Sequence, residues 1–206
     1  MDIHAALEEC NALVRNSHIV YTSGRHGSAY VNKDALYPRT DLVSLICFSI
    51  ADHFAGRGVE VVAAPAVGGV ALSQWTAHHL SKGDGRVLSV YAEKAASGAF
   101  ELRRGYDRLV ERKNVLVVED IVTTGGSLRG VVAAARSHGA NVIGAAILVN
   151  RGAVSSEDLG GLPELLTLAD IPLESWNEEE CPLCRDGVPV NTSLGKGHEF
   201  LNKKRL

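Results

Sequence analysis

The run Val115-Leu116-Val117-Val118 carries no polar side chain, and it passes through Glu119 and Asp120 straight into Ile121-Val122-Thr123-Thr124-Gly125-Gly126-Ser127. A short, continuously apolar strand is what a parallel sheet covered on both faces requires, so this segment constrains the whole chain toward helices above and below a sheet. The Ala- and Val-rich stretch Leu128 to His138 predicts a helix directly after the turn. The amides of the turn and the positive end of that helix can therefore converge on an anion. Two carboxylates beside a dianionic phosphate would be repulsive unless they faced neutral hydroxyls or a divalent cation. An ordinary strand-to-helix turn with a Ser or Thr cap accounts for the hydroxyls and glycines but not for the paired acids. No Gly-Lys-Ser/Thr ending follows the glycines, and the spaced glycines of a dinucleotide fingerprint are missing, so nucleotide triphosphatase and dehydrogenase readings lose their main support.

The rest of the chain agrees with that architecture. Strands are predicted at Val59 to Ala64, Arg86 to Tyr91, Phe100 to Arg103 and Val142 to Val149, and helices at Asp41 to Gly56, capped by Thr40 or Asp41, and Gly69 to Leu80. Strands alternating with helices predict an α/β fold, a central, mainly parallel sheet flanked by helices, with ligands outside the carboxyl ends of the strands. Before this core, Asp2 to Arg15 has helical spacing, and Ile19 to Tyr21 and Ala29 to Asn32 read as short strands around a Ser23-Gly24 turn region. After it, Pro163 to Ala169 reads as a short helix, and Pro172 to Leu206 as a small cap over the site or a partly mobile tail. The expected organisation is one domain over 1–206, with a core at about 38–152, a hood from about 15–37 and 153–190, and a tail at 191–206.

Composition narrows the partners. The 206 residues are 46% hydrophobic with a net charge of -3, which offers no basic footprint for nucleic acid or an anionic membrane and favours a small ligand. No apolar run is long enough to span a bilayer, and the start, with Asp2, Glu8 and Glu9, lacks the order of a signal peptide, so a cytoplasmic location is expected. Cys10, Cys47, Cys181 and Cys184 fit reduced thiols there. Cys181-Pro-Leu-Cys184 has the spacing of half a structural zinc site and His198 lies downstream, but there is no second cysteine pair and no evident fourth ligand. Lys203 to Arg205 reads as a solvated basic end.

The 115–127 stretch resembles the phosphoribosyl pyrophosphate (PRPP) motif of type I phosphoribosyltransferases, in a form most similar to the orotate phosphoribosyltransferases. The resemblance implies that Glu119 and Asp120 clamp the ribose hydroxyls, which resolves the charge conflict, while Ile121, Val122, Thr123, Thr124, Gly125, Gly126 and Ser127 wrap the 5-phosphate. It makes Ala66, Val67, Gly68 and Gly69 a pyrophosphate loop, without the lysine that several orotate enzymes carry at the position of Gly68. It makes Ala92 to Ala99 a mobile loop shared across a homodimer, with Lys94 steadying the leaving group. The family's second lysine and histidine are missing from that loop, and Arg103 and Arg104 are nearby sources of charge. Thr22 to Lys33 resembles the segment covering the base, where Tyr30, Asn32 and Lys33 would meet the pyrimidine, although a lysine often found at the position of Thr22 is absent. Arg151, with Thr123, would hold the orotate carboxylate, a match between a guanidinium fork and a carboxylate. The implied reaction converts orotate and PRPP to orotidine 5'-monophosphate and pyrophosphate in pyrimidine (UMP) biosynthesis. Mg2+ would be held mainly by PRPP, with no direct side-chain ligand expected. A Cys-Pro-x-Cys segment also occurs near the end of some bacterial members. Two other readings stay open on sequence: a purine or other base phosphoribosyltransferase, and a PRPP-sensing regulator without turnover.

Overall fold

The computed structural model describes residues 3–83 and 85–204, and the chain divides into two compact units. One consists of residues 3–39 together with 172–204, and the other of Thr40–Ile171.

The first unit is discontinuous in sequence. Its amino-terminal part contains α1 (Ile3–Glu9), β1 (Leu13–Val14), β2 (Ile19–Val20), β3 (His26–Gly27), β4 (Tyr30–Val31) and α2 (Lys33–Leu36). β1 pairs antiparallel with β4, and β2 with β3. Gly27 is required beside the Tyr21 ring, which occupies the space a Cβ would need, while the Tyr21 hydroxyl donates to the Ala29 carbonyl at 2.6 Å. Isolated bridges join His18 to Val190 and His26 to Trp176, so the carboxyl-terminal segment is paired with the first strands rather than trailing as a tail.

In the second unit, α3 (Thr40–Phe54) precedes β5 (Val61–Pro65), α4 (Gly69–Leu80), β6 (Leu88–Lys94), β7 (Phe100–Glu101), α5 (Tyr106–Val110), β8 (Asn114–Val122), α6 (Gly126–Ser137), β9 (Asn141–Asn150) and β10 (Leu165–Asp170). The sheet order is β10-β9-β8-β5-β6-β7, with parallel pairing throughout except for the β6–β7 hairpin. Residues alternate across a strand, so Val61, Ala63, Val115 and Val117 face one side, where they pack with Leu128, Val131 and Ala135 of α6. Val62, Ala64, Leu116 and Val118 are equally buried on the opposite side, where α4 crosses so closely that a Cβ on Gly69 would lie 2.7 Å from that of Ala64. The strand order reverses between β5 and β8: β5 leads through α4 to β6 on one side, and β8 leads through α6 to β9 on the other. That reversal opens a crevice at the carboxyl ends of the two strands.

The sequence expectation of a helix at Pro163 to Ala169 is corrected, because Leu165–Asp170 forms β10, parallel to β9. Leucine and alanine favour helices locally, but β9 would otherwise present a bare row of amides and carbonyls at the sheet edge. The expected strand from Phe100 to Arg103 extends only through Glu101, and β6 continues past Tyr91 to Lys94. The carboxyl-terminal segment holds a 3-10 turn at Glu178–Glu180, α7 (Pro182–Arg185) and α8 (Gly197–Lys204). Lys204, expected to be a solvated end, pairs with Glu178 and lies 4.8 Å from the centre of the Phe200 ring, whereas Arg205 lies outside the described residues. Among the described residues no helix is long and apolar enough to cross a membrane.

Two consequences follow for stability and reactivity. Leu116 is fully buried at the sheet centre, so Leu116→Ala should lower unfolding free energy by about 2–5 kcal/mol in urea titration. Burial between α3 and α4 pushes the Cys47 thiol up to about 12, and the thiolate is the reactive species. Cys47 should therefore resist alkylation in the folded protein at pH 8 while becoming labelled in urea, as mass spectrometry would record.

Candidate functional site

The turn after β8 forms a cavity of about 190 Å³ lined by Glu119, Ile121, Val122, Thr123, Thr124, Gly125, Gly126, Ser127 and Leu128. β8 carries its two acids to the open end of the sheet, where Glu119 is 6% and Asp120 2% exposed. Burying carboxylates is costly unless donors meet them. Main-chain amides do so locally: the Asp120 N–H donates to Glu119 Oε1 at 3.3 Å, and the Ile121 N–H donates to Asp120 Oδ1 at 2.6 Å. Gly125 then adopts φ 72° at the helix N-cap, a conformation that favours glycine, and α6 begins at Gly126. Thr123, Thr124, Gly126 and Ser127 remain exposed around the cavity. Twelve residues of helix stand behind them, giving the turn the partial positive charge of a helix N-terminus.

The turn is held from the neighbouring strand. The Arg151 N–H donates to the Val122 carbonyl at 2.7 Å, and Gly152 lies so close to Thr123 that any side chain there would fall on its carbonyl. The Asn150 side chain donates to the Val154 carbonyl at 3.0 Å and accepts from its amide at 3.1 Å, closing a loop on which Gly125 packs through Val154 and Leu159. Gly152, Asn150 and Val154 are therefore supporting residues that the sequence reading missed. The signal was present as Asn150-Arg151-Gly152 immediately after an apolar strand, but the proximity of that segment to Thr123 is a tertiary fact.

Ala66, Val67, Gly68 and Gly69 follow β5, the strand beside β8, and so lie on the same crevice edge. The Ala66 N–H donates to Ala92 O at 2.8 Å, the Ala66–Val67 peptide is cis, and Val67 is exposed. Lys94 is the last residue of β6, exposed and paired in register with Phe100. The segment expected as a loop over Ala92 to Ala99 is accordingly strand as far as Lys94, and the connection is a short turn closed by Ala95–Ala99 and Gly98–Ala95 backbone hydrogen bonds. Glu93 and Lys94 pair antiparallel with Glu101 and Phe100 of β7, a partner across the turn that small polar composition alone does not reveal. Arg104 donates to Glu93 at 3.0 Å and Arg103 to Glu101 at 2.8 Å, so both arginines engage carboxylates of the hairpin. The Arg104 hydrogen bond holds the Glu93 carboxyl below the usual carboxylate range.

Tyr30, Asn32 and Lys33 belong to the other unit. Tyr30 is in β4 opposite Val14, Asn32 donates its backbone N–H to Ala12 O at 2.6 Å, and Lys33 opens α2. In that unit the structure also gathers His18, His26, Cys181 and Cys184, with ligand atoms all within 4.8 Å of one another. His198 is outside this group, exposed, with its Nδ1 3.4 Å from the Asn202 amide nitrogen.

The switch-point crevice and its amide-lined turn define an anion-cradling α/β class. Residues 35–179 match the phosphoribosyl transferase domain family. The orotate phosphoribosyltransferase of Pelotomaculum thermopropionicum is 38% identical over 92% of this chain and 94% of its own length. Among solved structures, the orotate phosphoribosyltransferase from Aeropyrum pernix aligns with a TM-score of 0.60 and 25% identity, covering 82% of this chain and 93% of that one. The adenine phosphoribosyltransferase from Thermoanaerobacter pseudethanolicus also aligns at 0.60, with 20% identity over 80% and 99% of the two chains, a likeness of fold alone. The chain belongs to the phosphoribosyltransferase family, on the orotate phosphoribosyltransferase branch.

The Gly152–Thr123 approach generates a direct test. Gly152→Ala should displace the turn and weaken binding of inorganic phosphate about tenfold, roughly 1.4 kcal/mol, measured by calorimetry, while Gly83→Ala, which has open space around it, should leave binding unchanged.

Proposed function

We propose that this protein transfers the phosphoribosyl group of PRPP to orotate, releasing pyrophosphate and forming orotidine 5'-monophosphate for pyrimidine biosynthesis. The observation that carries this reading is the placement of two buried acids, Glu119 and Asp120, at the mouth of an amide-lined turn on a helix N-terminus. An anion site alone would exclude carboxylates; an anion joined to a neutral diol needs both.

In this reading the amides of Thr123 to Ser127 and the hydroxyls of Thr124 and Ser127 hold the 5-phosphate, and Glu119 and Asp120 accept hydrogen bonds from the ribose hydroxyls. As the bond from the anomeric carbon to pyrophosphate lengthens, the sugar acquires positive charge, which the fixed carboxylates stabilise without reorganising. The backbone of Ala66 to Gly69 receives the diphosphate, and Lys94 offsets its growing negative charge. Arg151 and the Thr123 hydroxyl orient the orotate carboxylate, placing the ring nitrogen for attack on the anomeric carbon. Tyr30, Asn32 and Lys33 are assigned to the base. Mg2+ is proposed to enter with PRPP, bound mainly by the diphosphate, whose charge it would neutralise. We further propose a homodimer in which Lys94 and the turn that follows it serve the neighbouring subunit. Exposed Leu45 and Phe48 on α3, with His79 5.6 Å from Phe48 and stacked on Trp75, are an apolar surface that suits self-association. The free thiols suit a reducing compartment, and the cytoplasm is the proposed location.

Incubation with PRPP, magnesium and each of orotate, uracil, adenine, guanine and hypoxanthine should release pyrophosphate with orotate. Turnover with a purine alone, or PRPP binding without turnover for any base, would reject the assignment. Asp120→Asn should lower kcat/KM for PRPP on the order of a hundredfold. Arg151→Ala should mainly raise KM for orotate, by about tenfold or more; small and equal effects of the two changes would mean the site is misplaced.

A further inference from the structure

Four side chains that the phosphoribosyl chemistry does not use meet inside the unit formed by residues 3–39 and 172–204. His18, His26 and Cys181 are buried at 2%, 0% and 2% exposure, and Cys184 is half-buried beside them. His18 Nε2 lies 2.9 Å from His26 Nδ1, 3.7 Å from Cys181 Sγ and 3.6 Å from Cys184 Sγ, and Cys184 Sγ lies 3.3 Å from His26 Nδ1. A tetrahedral zinc site with Zn–N of about 2.0–2.1 Å and Zn–S of about 2.3 Å has ligand-to-ligand edges of roughly 3.3–3.8 Å. Of these four separations among the six in the group, three fall in that range and the nitrogen–nitrogen pair is shorter by a few tenths of an ångström, while all six lie within 4.8 Å, so side-chain rotations of ångström size close the tetrahedron.

The surroundings also fit ligation. His18 Nδ1 donates to the Val188 carbonyl at 2.7 Å, which fixes the tautomer and leaves the Nε2 lone pair facing the other three groups. Metal-bound histidines are oriented by this type of outer hydrogen bond. Cys181 and Cys184 are brought to one side by α7, whose first residue is Pro182, so the two sulfurs sit one helical turn apart. His18 precedes β2 and His26 is in β3, and backbone bridges from these residues to Val190 and Trp176 hold the two chain segments in register.

We propose that His18, His26, Cys181 and Cys184 form a tetrahedral site for Zn2+ that fastens the two sequence-distant segments of this unit together. Two thiolates and two imidazoles suit zinc rather than magnesium or calcium, and four protein ligands leave no position for substrate, so the role is structural. A small unit with a limited core gains most from such a fastening. This site is independent of the orotate assignment and would stand if that assignment failed.

Full-length protein purified from zinc-supplemented medium without chelator should contain about one zinc per chain by elemental mass spectrometry. Cys181→Ser/Cys184→Ser and His26→Ala should lose it, whereas His198→Ala should keep it. Because the variants could fold poorly, the wild-type protein should also be stripped and titrated with Co2+. Tetrahedral ligand-field bands together with a thiolate-to-cobalt charge-transfer band are expected, and Zn2+ should displace both. A wild-type protein free of metal that gives no such spectrum, or zinc retained in the double cysteine variant, would overturn the site.

Discussion

The central position of β8 governs the rest of the active crevice. It is hydrogen-bonded to β5 on one side and β9 on the other, and its apolar residues are buried on both faces. The acids stand near its carboxyl end and the turn follows directly, so the candidate site is anchored to the core. The turn itself is hydroxyl- and glycine-rich, and it is fixed by what surrounds it: the amide of Arg151 on Val122, the absence of a side chain at Gly152, and the Asn150–Val154 pair beneath Gly125. A site that must favour a short-lived charge distribution gains from donors and acceptors already in place.

Two buried carboxylates at the end of an apolar strand are an arrangement that no stability argument would select. Main-chain amides of Asp120 and Ile121 donate to them, and the proposed function assigns a sugar diol as their neutral ligand. The arginines that follow β7 show the opposite pattern. Arg103 and Arg104 are drawn into exposed pairs with glutamates of their own hairpin, and the proposed function assigns the leaving group to Lys94 at the end of β6.

The first unit, formed by residues 3–39 and 172–204, is held together differently. Its strands are two residues long, and its segments come from the two ends of the chain, so register depends on a few backbone bridges and on side chains packed where those bridges cross. The imidazoles and sulfurs meet at that crossing. A metal bond there would link residues far apart in sequence, which restricts the unfolded chain most.

The alternation of apolar strands and amphipathic helices made the parallel sheet, the helices α3, α4 and α6 and the β8 turn readable from the sequence, because buried strands and helix starts are written in local composition. The acid pair was readable for the same reason: charge conflict between neighbours needs no fold to be noticed. Pro163 to Ala169 was misread because its leucines satisfy a helix locally, and only the open edge of β9 makes it a strand. Ala92 to Lys94 was misread as loop because its pairing partner lies across a turn. Cys181 and Cys184 announced half a metal site by spacing, but the sequence pointed to His198, the nearer histidine. Tertiary structure alone decided for His18 and His26, since a ligand cluster is set by distance in space, and chain separation carries no information about that distance once the two ends of the chain fold into one unit.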